Sequence, residues 1–182
     1  MDTGKASYDR YLSGDDSGIG EIISEYKDGL ILFLNTYVRN ITTAEELCED
    51  TFVRLAVKKP RFRGGSSFKT FLYSIAKNTA LDHLRKNKHS VSMEELSELE
   101  DKADLERGYL KEEQKLALHS AMKKLKPEYG RVLWLTYFDE LSNKEAAAVM
   151  GKSTHAIETL VYRARNALKT QLEKEGFIYE II

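Results

Sequence analysis

The sequence predicts an all-α protein: two helical domains joined by an acidic linker, the C-terminal one a helix-turn-helix. Apolar residues recur at helical rather than alternating spacing along most of the 182 residues. Only 2 prolines and 11 glycines are spread through the chain, and 31% of residues are charged, which suits helices with short connections. The charges are also sorted into blocks. Residues 1–50 hold 4 Lys/Arg against 11 Asp/Glu, residues 51–93 hold 10 against 1, residues 94–113 hold 3 against 9, and residues 142–172 hold 5 against 2. Blocks of opposite sign suit different partners on different faces. The basic block is either the footprint of a nucleic-acid binder or a solvated helix face.

The first periodic stretch, Ile19–Val38, places Ile22, Ile23, Tyr26, Leu30, Phe33, Leu34 and Tyr37 on one side. Its apolar run GLILFLNTYV (29–38) is too short to span a bilayer and reads as a buried core helix, so no membrane insertion is expected. No charged-then-apolar leader opens the sequence. Thr43, with Glu46 three residues on, predicts a capping box at the head of a helix that ends before Pro60. Leu47, Phe52 and Leu55 form its apolar stripe, while Glu45, Glu46, Glu49 and Asp50 leave another face acidic. Residues 61–67 read as a loop, and Ser67 caps a long helix to about Lys88. The stretch 91–113 is acidic and poor in aromatics, as a linker is. A helix from near Leu110 to Leu125 follows, and Pro127 opens another, PEYGRVLWLTYFDE. The expected division is therefore 1–90, a linker at 91–111, and 112–182.

Residues 141–164, LSNKEAAAVMGKSTHAIETLVYRA, have helix-turn-helix spacing. Ser142 or Asn143 caps a short helix, Ala147 is small where two helices cross, Gly151 suits the turn, and Ile157 plugs the core. The second helix then presents Ser153, Thr154, His155, Glu158, Thr159, Tyr162 and Arg163 where a major groove would lie. A corner used only for protein contact has the same spacing.

RFRGGSSFKTFLYSIAKN (61–78) brings cations, aromatics and a glycine pair together. Phe68, Leu72 and Ile75 fit a core-facing stripe, which leaves Arg61, Phe62, Arg63, Gly64, Gly65 and Asn78 for a surface. The four histidines (83, 89, 119, 155) are scattered, and no Gly-rich phosphate loop follows a strand, so neither an enzyme nor a bound cofactor or metal is expected. A single cysteine, Cys48, excludes an internal disulfide and fits a small buried residue in a reducing cytoplasm.

Four stretches in order, TAEELCEDTFVRL (43–55), FRGGSSFKTFLYSIAKNTALDHLRK (62–86), LKPEYGRVLWLTYFDELSNKEAAAVMG (125–151) and the helix closing with Arg163, Ala164, Arg165, Ala167 and Leu168, resemble the small two-domain extracytoplasmic-function (ECF) sigma factors of bacterial RNA polymerase. The resemblance covers roughly residues 8–88 and 112–172. It implies core polymerase as a partner, with Glu45, Glu46, Glu49 and Asp50 on the clamp helices of its largest subunit. Promoter DNA is the second partner, with the −10 element held as a melted strand and the −35 element as duplex. An anti-sigma factor is the implied regulator.

For the melted strand the implied set is Arg54, Lys58, Arg61, Phe62, Arg63, Gly64, Phe71, Lys77, Asn78 and Arg85, with Asn78 at the position that lines the pocket for an unstacked base. Arginines would follow phosphates and aromatics would stack on bases. Phe71, where the family has tryptophan, either stacks at the duplex fork or packs. For the duplex the set is Ser153, Thr154, His155, Glu158, Thr159, Tyr162, Arg163 and Arg165. The chain departs from the family at Glu49 (commonly Gln), Lys152 (commonly apolar) and Glu158 (commonly a cation). The alternative is a stand-alone helix-turn-helix regulator, which would need neither the acidic helix nor the segment for an unstacked base.

Glu158 can accept from a cytosine amino group. Glu158→Ala is therefore expected to change −35 sequence preference more than overall affinity in a binding-site selection. Equal tightening on every sequence would make Glu158 only a repulsive charge.

Overall fold

The computed structural model describes residues 2–88 and 113–176, and the regular structure within them is helical. The helices are α1 (Thr3–Leu12), α2 (Ser17–Val38), α3 (Ile41–Lys58), α4 (Phe68–Lys86), α5 (Glu113–Lys123), α6 (Pro127–Leu133), α7 (Asn143–Met150) and α8 (Thr154–Lys174). The linker 91–111, the helix start near Leu110 and the tail beyond Gly176 lie outside the described residues.

The structure adds one helix that periodicity does not show and corrects one cap. Helix α1 escapes the periodicity because its buried face is Gly4, Ser7, Tyr8 and Tyr11, with no aliphatic stripe. It is fixed by the buried Tyr8 and Tyr11 rings, Tyr8 lying 5.3 Å from Phe68, and by polar contacts. Tyr8 donates to the Pro60 carbonyl at 2.7 Å and Tyr11 to the Ala56 carbonyl at 3.0 Å. Asp2 caps α1 through the Lys5 N–H at 3.1 Å and accepts from the Phe68 N–H of α4 at 2.6 Å, so one carboxylate serves two helix starts. The corrected cap is that of α3. Arg39 takes a left-handed φ of 49° and ends α2, so the chain turns early. Asn40, not Thr43, then caps α3, accepting from the Thr43 N–H at 3.0 Å. Ser67 caps α4 as expected.

The first core joins Ile22, Leu30, Phe33 and Leu34 of α2 to Leu47, Phe52 and Leu55 of α3 and to Phe68, Leu72 and Ala76 of α4, all buried. Cys48 is buried among them, and burial pushes its thiol up to about 12, so it is an inert apolar residue.

The second unit closes around Val132, Leu133, Leu135, Ala146, Val149, Ile157 and Ala164. The helix expected over 127–140 changes character at Trp134, where a π-helical turn runs to Phe138 with the Trp134 and Phe138 rings stacked 4.5 Å apart. Ser142 and Glu145 form a reciprocal capping box on α7. Gly151 ends α7 at φ 65°, the left-handed conformation the turn demands.

Helix α7 and the π-helical turn pack on α2 and α4, joining the two units. Asp139 sits at the centre of this contact and is 8% exposed. Its Oδ1 accepts from the Tyr73 hydroxyl at 2.9 Å and lies 3.2 Å from Lys69 Nζ, which also donates to the Asp139 carbonyl at 2.8 Å. Gly29 of α2 must lack a side chain here, because a Cβ would stand 2.8 Å from the Tyr73 hydroxyl oxygen. Nearby, the Arg131 guanidinium lies 3.9 Å over the Tyr37 ring. Glu145 approaches the Ser67 and Thr70 hydroxyls. Burial alone would raise its pKa, but the Ser142 N–H and these hydroxyls hold it below the usual range.

Burial pushes the Asp139 carboxyl up to about 6, against the opposing pull of Lys69, Tyr73 and Trp134. A raised carboxyl contributes stability that is fully present below its unfolded value of 3.8 and lost as pH rises through about 6. Wild-type stability is therefore expected to fall by about 1–1.5 kcal/mol relative to Asp139→Asn between pH 5 and 7.5. Urea unfolding of both proteins across that range checks it, and parallel curves would refute it.

Candidate nucleic-acid interface

The long helix α4 carries three kinds of surface. Phe68, Leu72 and Ala76 face the first core, Lys69, Thr70 and Tyr73 meet the second unit, and Asn78, Arg85 and Lys86 remain exposed, as does Lys88 just beyond the helix. A 3.6-residue period lets one helix divide its residues in this way.

Asn78 is exposed. One turn on, Asp82 accepts from Arg54 Nη1 of α3 at 3.3 Å through Oδ2, and its Oδ1 lies 3.5 Å from Arg85 Nη2. Three residues of the expected set, Arg54, Asn78 and Arg85, are thus brought to one edge of the α3–α4 pair. Arg61, Arg63 and Gly64 are exposed on the loop before α4, and Gly64 takes φ 75°, a conformation that favours glycine. Lys58 is exposed at the end of α3.

The aromatics stand differently. Phe62 is half-buried, with its ring 5.1 Å from Phe71 and 5.9 Å from Phe68, and Tyr8 lies 5.3 Å from Phe68 and 6.2 Å from Phe71. Phe62 and Phe71 therefore belong to one cluster that seals the loop onto the core. Lys77 is half-buried beside the turn of the helix-turn-helix, its Nζ 3.7 Å from where a Gly151 Cβ would stand.

On α8, Ser153, Thr154, His155, Glu158, Tyr162, Arg163 and Arg165 are exposed and Thr159 is half-buried. Ser153 caps the helix by accepting from the Ala156 N–H at 3.1 Å. His155 Nδ1 lies 3.8 Å from Glu158, and the Arg165 guanidinium stands 5.7 Å over the Tyr137 ring. Tyr162 is 68% exposed, a large apolar ring left in solvent beside two arginines. On α3, Glu46, Glu49 and Asp50 are exposed and Glu45 is half-buried.

Sequence reasoning missed two features of these surfaces. Val53 and Val57 are 57% and 76% exposed on α3 and extend the acidic face into an apolar one; their i, i+4 spacing after Glu49 is the signal that finds them. Asp82 is the other, and its signal is to be the sole acid of residues 51–93. A cavity of about 180 Å³ between α2, α5 and α6 is lined by none of the expected residues. No group of acidic, histidine or cysteine side chains among the described residues is arranged to hold a metal ion, and no described helix is long and apolar enough to cross a membrane.

Residues 22–90 match the family model for sigma-70 region 2, and residues 115–168 match that for sigma-70 region 4. The chain is 32% identical to the RNA polymerase sigma factor YlaC of Bacillus subtilis, over 86% of this chain and 92% of that protein. It is 30% identical to the ECF RNA polymerase sigma factor BldN of Streptomyces coelicolor, over 92% of this chain and 65% of that protein. Its fold is similar to CnrH solved in complex with the cytosolic domain of CnrY (TM-score 0.68, 24% identity, 95% of this chain and 99% of that one). It is also similar to RpoE solved with the anti-sigma factor NepR from Bartonella quintana (TM-score 0.65, 21% identity, 85% and 96%). At these identities the two structures show the fold alone.

Because Phe62 is held by neighbouring rings, Phe62→Ala is expected to cost about 1–3 kcal/mol of folding stability, less than a fully buried ring. Phe62→Leu should restore most of that stability. If Phe62→Leu also keeps single-strand affinity, measured by fluorescence anisotropy, Phe62 only packs; a loss of affinity with stability intact marks it as a stacking platform.

Proposed function

Since this chain belongs to the ECF group of the sigma-70 family of RNA polymerase sigma factors, we propose that it docks on core polymerase through the acidic face of α3, holds the melted −10 strand on the α3–α4 edge and its preceding loop, and reads the −35 duplex with α8. The observation that carries this division is the sorting of charge onto separate exposed faces. Glu46, Glu49 and Asp50 point to solvent on α3, Arg61, Arg63, Asn78 and Arg85 on and before α4, and Arg163 and Arg165 on α8. Opposite charge steers the polymerase encounter, and cations neutralise phosphates on each DNA element. An exposed amide beside the cations suits an unstacked base, because it donates and accepts. The protein supplies specificity and opens DNA; bond making belongs to the polymerase, so it is not itself an enzyme. Its place of action is the cytoplasm.

The closed packing of the two units bears on this cycle. By their position numbers, elements at −10 and −35 are about 25 base pairs apart, about 85 Å of duplex at 3.4 Å per step. A folded chain of this size spans only about 40 Å. Simultaneous engagement of both elements therefore requires α7 to leave α4, which also frees Lys77. The 24 residues from 89 to 112 reach about 80 Å when extended. An anti-sigma factor would act by covering the polymerase-binding face, as partner chains do in general when they compete for one surface.

A stand-alone helix-turn-helix regulator is less well supported, because it needs neither the acidic face of α3 nor the edge around Asn78. Run-off transcription with core polymerase on a promoter library decides between them. Promoter-specific transcripts are expected only when the protein is added, and Asn78→Ala should reduce them about tenfold, the effect of one lost base contact. Transcripts independent of the protein would end the reading.

A further inference from the structure

Asp82 is out of place by charge. Ten Lys/Arg and this one acid make up the ionisable cations and carboxylates of residues 51–93. It lies four residues after the exposed Asn78 and three before Arg85, so all three share one side of α4. Its two carboxylate oxygens are divided between two helices' worth of cations: Oδ2 takes Arg54 of α3 at 3.3 Å, and Oδ1 faces Arg85 at 3.5 Å. Asp82 and Arg54 are 39% and 36% exposed, and Arg85 is 72% exposed. Exposed pairs of this kind add little to folding stability. What the pair geometry does is orient. A guanidinium is a planar fork, and anchoring one edge of it on a carboxylate fixes where its remaining N–H groups point.

We propose that Asp82 is a specificity-determining residue of the −10 surface: it holds the Arg54 and Arg85 guanidiniums in register beside Asn78, and its own charge repels strands whose phosphates fall out of that register. The proposal deepens, and rests on, the reading of α4 as the surface for a melted promoter strand. Specificity is a difference of affinities, and a repulsive element that penalises the wrong partner contributes to it as surely as an attractive contact. A wholly cationic edge would hold any single strand. One carboxylate set between two arginines leaves a phosphate two productive positions and an unfavourable one between them.

The test uses holoenzyme, reconstituted from core polymerase and the full chain, and fork-junction DNA with a randomised −10 strand. Affinity is measured for the unselected pool and for the sequence that the wild-type holoenzyme enriches. Asp82→Asn is expected to bind the unselected pool more tightly and to lower the enriched-to-unselected ratio about tenfold. Its salt dependence should steepen by about 0.7 in the log–log slope, the value for one further phosphate neutralised on a single strand. Asp82→Glu should keep the wild-type ratio, and Asp82→Gln, nearly the same shape without the charge, should lose it. The Glu and Gln pair carries the test if the Asn variant does not fold. Equal ratios for Glu and Gln, or a wild-type ratio in Asp82→Asn, would overturn the proposal and leave Asp82 a tie between helices. If wild-type holoenzyme enriches no −10 sequence at all, the reading of α4 fails, and the proposal fails with it.

Discussion

Tyr73 is fully buried on α4, yet its hydroxyl ends on Asp139 of the other helical unit. Burial and the neighbouring carboxylate keep that hydroxyl protonated well beyond the usual tyrosine range, so it is a dependable donor. Lys69 completes the contact from the same helix, one turn earlier. Among the described residues, Asp139 Oδ2 and the Trp134 indole N–H lie buried without a well-aligned hydrogen bond. The Trp134 indole still lowers the Asp139 pKa as a side-chain partner, so the acceptor is weakly satisfied, and poor alignment weakens a hydrogen bond steeply. The join between the units is accordingly specific in geometry and modest in strength, which suits the proposed separation of the two units on promoter DNA.

The same helix explains why the two units share one architecture. Residues of α4 that enter the first core, Phe68, Leu72 and Ala76, cannot shift without unseating the aromatic cluster. That rigidity fixes the remaining faces: the one that meets Asp139 and the one that carries Asn78. Nucleic-acid recognition needs side chains held in place before the strand arrives, because every side chain ordered on binding adds an entropic cost. Asn78 and Arg85 gain that order from α4, and Arg54 gains it from α3.

The fold class and most helices were legible because aliphatic periodicity, caps and charge blocks all pointed the same way. Ser67, Ser142 and Gly151 stand where the spacing put them. Helix α1 was not legible, since it is held by two tyrosine hydroxyls and by Asp2 reaching to residue 68, contacts that no local pattern encodes. The π-helical turn was hidden likewise: Trp134 and Phe138 are spaced for an ordinary helix, and the change of winding shows only in the backbone, where the Asp139 N–H donates to the Trp134 carbonyl five residues back at 3.1 Å. Of the interface, exposure of the α8 positions followed from the helix-turn-helix register. The enclosure of Phe62 and Lys77 did not, because it depends on the loop folding back onto Phe68 and Phe71 and on where α7 comes to rest.

The aromatic cluster sets a limit on how the loop before α4 can treat a base. Each aromatic pair contributes about 0.5–1.5 kcal/mol beyond area burial, and Phe62 makes two such pairs, with Phe68 and Phe71. Stacking a base on an aromatic ring is worth about 1–3 kcal/mol. The two sums are of the same size, so pulling Phe62 out of the cluster to stack on a base gains nothing by itself. A base that stacks here does so on the ring face that Phe62 already presents, or displaces it only with the help of Arg61 and Arg63 on the flanking phosphates. In both cases the cations and the ring act together, since the three residues are consecutive and the loop that carries them is pinned at its far end by Ser67. On the proposed reading, the aromatic ring alone would bind any strand weakly, and its attachment to the core would make the neighbouring cations a fixed ruler along the backbone.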